Sequence, residues 1–229
     1  MIKIYYYNFV ICDILIIEII VKEWLNMKAK LESERIKLRN YVLEDIDDYY
    51  DYIKSEDISG RIGFPPYKSK EQALERLKIE TKKPYQFAIV LKSENKVVGS
   101  IEIMLPSRDR EARAKFEERY VGIDAGENPV EIGFLLSPKF WGQGIMPEAT
   151  VLATDYAFNT LGVSAVCIGH LKANANSGRV QEKIGFKIVN EIKTDKTWID
   201  GSATTSVRRI MTKDMWNKIR KEKFKEFVK

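Results

Sequence analysis

Two cysteines, Cys12 and Cys167, and one histidine, His170, are all the sequence holds of the residues that staple small secreted folds or bind zinc. A disulfide scaffold is excluded in practice, and the scarcity of thiols fits a reducing compartment, read here as the cytoplasm. A structural zinc site needs several Cys or His ligands that this chain cannot supply, so no metal is expected. Also lacking is a run of about 20 uncharged apolar residues, the length a membrane-spanning helix requires. The nearest approach, "YYYNFVICDILIIEIIVKEWLN", is interrupted by Asp13 and Glu18. Asp13 and the want of a small-residue cleavage site also set it apart from a signal peptide. Neither sign of charge dominates. Lys and Arg number 38 against 33 Asp and Glu, a net +5 that is weak support for an anionic ligand and no footprint of nucleic acid.

Residues 1–26 read as a leader or N-terminal extension. Lys22-Glu23 can be encoded as a ribosome-binding sequence just upstream of Met27, so translation is expected to begin at Met27. An amphipathic helix that docks on the domain or on a membrane surface is the alternative. Residues 27–229 read as one domain with no internal repeat. "RIKL" (35–38) predicts a strand, and Val42, Ile46, Tyr49, Tyr50 and Ile53 recur at helical spacing. "GRIGFPPYKS" is loop by its Gly and Pro, and Ser69 caps a helix whose apolar positions are Ala73, Leu74, Leu77 and Ile79. "YQFAIVL" and "VVGSIEIML" form a hairpin. Residues 106–128 are a charged insertion, partly helical, which covers the acceptor site, forms a dimer contact or simply lies in solvent. A strand at 130–136, a helix from Pro147 to Leu161-Gly162 and a strand at 165–170 follow. A helix then runs from Asn174 to Gly185, with strands near 186–192 and 205–212 after it. The tail 213–229 is a basic C-terminal helix, and Lys218 to Lys229 read as a solvated helix face. Runs of this order make an α+β fold, not a regular βαβα sheet.

Between strand 130–136 and the next helix lies Trp141-Gly142-Gln143-Gly144. A dinucleotide fingerprint needs a third glycine where Pro147 stands, and a P-loop needs Gly-Lys-Ser/Thr where Pro147-Glu148-Ala149 stands. Both nucleotide loops are therefore excluded. The N–H groups of Gln143, Gly144, Ile145 and Met146 can still converge at a helix start, where the dipole places about half a positive charge. Pro147 has no N–H and wastes no donor there. A tight strand–helix turn without a ligand satisfies the spacing equally well.

"EIGFLLSPKFWGQGIMPEA" (131–149) followed by "NANSGRVQEKIGF" (174–186) resembles the GNAT superfamily of N-acetyltransferases, nearest its RimJ/RimL-like branch. The matching positions are Glu131-Ile132-Gly133-Phe134, Trp141 to Gly144, Asn174, Ser177 and Glu182-Lys183-Ile184-Gly185-Phe186. The likeness runs from about Glu32 to Thr212. It implies a single GNAT-like domain, with a mixed, mostly antiparallel central sheet, helices on both faces and splayed central strands. It also implies acetyl-CoA as co-substrate. Its pyrophosphate would sit on the amides of Gln143, Gly144, Ile145 and Met146. Its pantetheine arm would run along Phe134, Leu135 and Leu136, and its thioester would face Asn174 and Ser177.

Acyl transfer to an amine needs a base, an oxyanion donor and a proton for the thiolate. The resemblance assigns these to Glu131, to a backbone N–H around Leu135 and to Ser177. Glu131 can instead be a strand-end carboxylate in a salt bridge, and Ser177 a hydroxyl that satisfies a helix N-terminal donor. His170 shares a strand face with Val166 and Ile168 near the expected thioester, in a structural or a catalytic role. The acids Glu44, Asp45, Asp47, Asp48 and Asp51 either attract a cationic amine or form the wet face of a helix. Transfer of acetyl from acetyl-CoA to a primary amine, on a small molecule or a peptide, is thus the expected activity. The chain is expected to act as a monomer or homodimer, without nucleic acid or stable membrane association. A non-catalytic acyl-CoA sensor on the same fold is the alternative.

Overall fold

Seven strands pair in the order β1-β2-β3-β4-β5-β7-β6. The structure, a computed structural model, describes residues 31–62, 65–106, 120, 125–197 and 200–225. Along the chain the elements are β1 (Ile36–Asn40), α1 (Ile46–Ile53), α2 (Glu56–Ile62), α3 (Lys70–Glu80), β2 (Gln86–Leu91), β3 (Lys96–Met104) and β4 (Val130–Leu136). They continue with α4 (Ile145–Asn159), β5 (Ala165–Leu171), α5 (Ala175–Ile184), β6 (Lys187–Thr197), β7 (Ala203–Thr212) and α6 (Lys213–Lys223). Every adjacent pair of strands is antiparallel except β4 with β5. This is the mixed, mostly antiparallel sheet that the motifs imply.

The alternation of β2 shows why both faces are covered. Ala88 and Val90 join a cluster with Tyr49, Tyr52 and Ile53 of α1 and Ala73 and Leu77 of α3. Phe87, one residue before Ala88, points to the other face and meets Tyr156 of α4 edge-on, ring centroids 6.1 Å apart. No helix among the described residues is long and apolar enough to cross a membrane.

Several elements differ from their sequence reading. Part of the Gly/Pro-rich stretch is the helix α2, which includes Gly60. In α3 the buried positions are Ala73, Leu77 and Glu80, while Ile79 is exposed. At 100° per residue, position 80 returns to the face of 73 and position 79 does not. Glu80 is held there by Arg76 Nε at 2.5 Å and Lys83 Nζ at 3.3 Å. Four of the five acids of the 44–51 run have partners within the protein, Asp47 with Lys70 and Asp51 with Lys139 among them, while Glu44 is exposed. Asp45 takes both Nη groups of Arg39 (2.6 and 2.7 Å), and Asp48 accepts the Val97 N–H at 2.9 Å. The basic C-terminal helix is not a solvated face alone. Trp216 is fully buried, stacked between Phe158 and Phe224 with centroids 6.4 and 5.8 Å away, and its Nε1–H donates to Asp155. The leader reading of 1–26, most of the 106–128 insertion and Trp198-Ile199 lie outside the described residues.

Trp216→Ala opens a cavity in this stack, so it is expected to cost about 3–5 kcal/mol. Urea denaturation of the two proteins checks this. A loss below about 1 kcal/mol would show that α6 does not anchor to α4.

Candidate active site

Strands β4 and β5 pair in parallel only at Val130–Val166, Glu131–Cys167 and Ile132–Ile168. Beyond these residues β4 stays with β3 as far as Leu136, and β5 stays with β7 as far as Leu171. The two centre strands therefore part, and among the described residues the β5-side edge of β4 from Gly133 onward has no neighbouring strand. The bend of β4 is possible because position 99 carries no side chain. A Cβ there would lie 2.3 Å from the Leu135 carbonyl oxygen.

On one side of the gap is a cavity of about 650 Å³ lined by Phe134, Leu135 and Leu136, by the glycine loop and by α5. Among its described lining residues three are basic, Arg61, Arg179 and Lys183, and none is acidic. On the other side is a second cavity, also about 650 Å³, which reaches Tyr49, Tyr67, Met104, Glu131, His170 and Arg208. The two share Arg61, Phe134, Leu135, Asn174 and Ser177.

The loop is shaped for an anion. Gly142 and Gly144 are both left-handed, at φ 76° and 78°, where a side chain would be strained. Gly144 is the N-cap of α4, which therefore starts at Ile145, two residues before Pro147. The first α4 N–H to find a backbone acceptor is that of Glu148, bonded to Gly144 O at 3.2 Å. The amides of Ile145 and Met146 thus stand at the positive end of the helix without a carbonyl of their own. The Met146 side chain is buried. Gln143 does not line the cavity; its carbonyl accepts from Arg35 Nη1 at 3.0 Å. Trp141 closes the loop, with its Nε1–H on Leu136 O at 2.8 Å and the Arg61 guanidinium 4.9 Å from its ring.

Under the loop sits a residue that motif reading missed. Glu148 is 2% exposed, and its carboxylate accepts from Arg35 Nε at 2.8 Å, from Arg35 Nη2 and from Ser33 Oγ. Arg35 is 113 residues away in the chain, which is why spacing gives no hint of it. Half exposed beside Gly144, its guanidinium stands next to the loop with its charge matched by Glu148.

The helix motif resolves residue by residue. Asn174 is the N-cap of α5, its Oδ1 accepting the Ser177 N–H at 3.3 Å. Ser177 is therefore not the cap; its Oγ accepts from Gln181 Nε2 at 3.2 Å. Gln181 in turn lies 3.0 Å from His170 Nδ1. Glu182 binds the buried Arg209 at 2.6 Å, Lys183 lines the cavity, and Gly185 ends the helix at φ 104°.

Glu131 is 8% exposed, lines the second cavity and is ion-paired with Arg208 Nη1 at 2.9 Å. Arg208 reaches it across β5 at Gly169, where a Cβ would come within 2.3 Å of Nη1 and 3.0 Å of Cζ. The guanidinium also lies 5.8 Å from the ring centroid of Tyr120, whose hydroxyl burial holds well above the ordinary phenol range. Of the residues picked from sequence, Phe134, Leu135, Leu136, Gly144, Ile145, Met146, Asn174 and Ser177 gather on the first cavity, and Glu131 and His170 on the second.

A family model described as "Acetyltransferase (GNAT) domain" matches residues 35–187. "Probable N-acetyltransferase YjcK" of Bacillus subtilis is 28% identical over 109 residues, 48% of this chain and 51% of that protein, so the chain spans about half of this relative. The crystal structure of a GNAT-family acetyltransferase from Bacillus anthracis superposes with a TM-score of 0.65 at 19% identity, covering 80% of this chain and 98% of that one. The spermidine N-acetyltransferase of Vibrio cholerae, in complex with CoA and spermine, gives 0.62 at 14% identity, with 80% and 98% covered. At these identities the superpositions speak for the fold alone.

Burial holds His170 below its ordinary value of 6.5, with Arg209 and Arg208 pushing the same way against the Gln181 hydrogen bond and Glu182. The unfolded chain takes up a proton near pH 6.5 that the folded chain declines. Stability is therefore expected to fall as pH drops through that window. His170 is the chain's single imidazole, so one NMR titration curve reports it. A midpoint at or above 6.5 would contradict the burial argument.

Proposed function

Since the chain belongs to the acetyltransferase (GNAT) domain family, we propose that it transfers an acetyl group from acetyl-CoA to a primary amine by direct attack on the thioester. The observation that carries this reading is the pair of cavities meeting at the β4–β5 gap. One is basic and acid-free beside a helix N-terminus; the other is charge-balanced. That asymmetry suits a polyanionic co-substrate on one side and an amine on the other. A sensor that only binds acyl-CoA has no use for the second cavity.

Acetyl-CoA supplies the activated acyl carbon and a leaving thiolate. The amides of Gly144, Ile145 and Met146, with Arg35 at the rim, would hold its pyrophosphate. The unpaired edge of β4 at Phe134 to Leu136 would take the pantetheine amides as a further strand would. Glu131, in the acceptor cavity, would take the proton that the amine loses as the N–C bond forms. Ser177, at the junction, would give one to the sulfur as the C–S bond breaks. The net change is one proton off nitrogen and one onto sulfur.

The acceptor cavity narrows the amine. Each of the three glutamates among its described lining residues already has a cation: Glu80 has Arg76 and Lys83, Glu102 has Lys83, and Glu131 has Arg208. Among the described residues no unneutralised carboxylate is left for the second and third charges of a polyamine such as spermine. Tyrosines and Met104 on the wall favour a monoamine with an apolar or aromatic body. The strand, loop and helix motifs favour the RimJ/RimL-like branch, and the thiol-poor composition a cytoplasmic setting.

Calorimetry is expected to show micromolar acetyl-CoA binding. Gly144→Glu should weaken it by 100-fold or more, roughly the effect of a buried like charge, whereas Gly144→Ala, which carries the same backbone strain, should weaken it about tenfold at most. Equal losses in the two variants would refute the anion cradle. With an amine found by thiol-release screening, Glu131→Gln should lower turnover by about 100-fold or more at unchanged acetyl-CoA affinity. Turnover within about threefold of wild type would remove Glu131 as the base.

A further inference from the structure

Gln181 is fully buried on α5 and touches neither cavity, yet both ends of its carboxamide are occupied. Its Nε2–H donates to Ser177 Oγ at 3.2 Å, one helical turn back, and its Oε1 lies 3.0 Å from His170 Nδ1. A carboxamide oxygen only accepts, so Nδ1 carries the hydrogen and the neutral ring keeps its lone pair on Nε2. With the ring in this tautomer, turning the amide over would set one N–H against another at His170; the opposite tautomer goes with the opposite amide. The ring of His170 and the carboxamide of Gln181 are therefore set together, and with Nδ1–H the amide N–H faces Ser177. The side chain of His170 reaches this position because residue 178 is glycine; a Cβ there would be 2.9 Å from Nε2.

The consequence lies in the hydroxyl. Ser177 Oγ accepts from Gln181, so its own O–H hydrogen must be directed elsewhere, and the residue lines both cavities where they meet. We propose that His170 and Gln181 are positioning residues that turn the Ser177 hydroxyl hydrogen into the junction of the two cavities, toward the sulfur that departs. This rests on the acetyl-transfer reading. Gln181 lines neither cavity, and His170 borders only the second, so both act on the departing sulfur through Ser177. His170 fixes the amide, the amide fixes the hydroxyl, and the hydroxyl meets the negative charge that grows on sulfur. Protonated or neutral, the ring donates from Nδ1, so the orientation survives the titration of His170.

Two measurements test the proposal. First, ¹⁵N-labelled ligand-free protein above pH 7 gives the imidazole nitrogen signals of His170 alone, since the chain has no other histidine. The proton is expected on Nδ1; a proton on Nε2 overturns the network. Second, CoA with its free thiol is bound to wild type, Ser177→Ala and Gln181→Glu, and the thiolate absorbance is titrated in each complex. Gln181→Glu swaps the N–H for an acceptor oxygen, which draws the Ser177 hydrogen away from the cavity. The bound thiol is expected to be about tenfold more acidic, one pKa unit, in wild type than in either variant. Equal acidity in all three overturns the proposal. Should Gln181→Glu fail to fold, Ser177→Ala, at a half-buried site, carries the comparison. Failure of CoA to bind wild type would instead remove the acetyl-transfer reading, and the tautomer would still judge the network.

Discussion

Three residue pairs hold β4 to β5, from Val130–Val166 to Ile132–Ile168, and the parallel contact ends there. Were it to run two residues further, Phe134 would be sealed against Gly169 and His170, and no cavity would reach the sheet's centre. Each strand leaves the contact for its own reason. β4 follows β3, and its bend takes up the space that Gly99 leaves open. β5 follows β7, and α5 packs its first turns against His170 through Gly178. The gap is thus built from ordinary antiparallel pairing on both flanks, with small residues where backbone or ring must come close.

A second constraint fixes the cradle. A glutamate in the first turn of α4 gains from the helix dipole, but 2% exposure leaves Glu148 almost no water. A buried carboxylate is tolerable only when paired and hydrogen-bonded. Arg35 and Ser33, from the stretch before β1, supply the partners. The start of the domain is thereby tied to the glycine loop, and the same guanidinium also bonds the Gln143 carbonyl. Loop position and first-strand position become one quantity.

Much of this was legible in the sequence where a residue's type states its own job. Glycines at 142 and 144 mark the loop, Asn174 and Gly185 bound a helix, and alternating apolar residues announce the sheet. What stayed hidden depends on which way side chains turn and on distant partners. The Glu131–Arg208 pair spans 77 residues and Arg35–Glu148 spans 113. Ser177 looked like a cap because serine at a helix start usually is one, but Asn174 already held that position. Glu80 and Ile79 were misplaced because residue type was read before angle. Trp216 sat in a basic tail, and only the stack of Phe158 and Phe224 shows that one helix face there is core.

The absent side chain at Gly169 has an evolutionary reading. Arg208 lies in the room that glycine leaves and reaches Glu131 through it, so positions 131, 169 and 208 form an epistatic triple. A methyl at 169 displaces the arginine, and losing the arginine strands a buried glutamate. Replacing the glutamate leaves a guanidinium without its counter-charge. Single steps away from the trio are therefore coupled, so a change of charge in the second cavity favours paired substitutions. Diversification of the amine accepted would then enter more readily through Tyr49, Tyr67 and Met104 on the wall, where exchanges can be made one at a time.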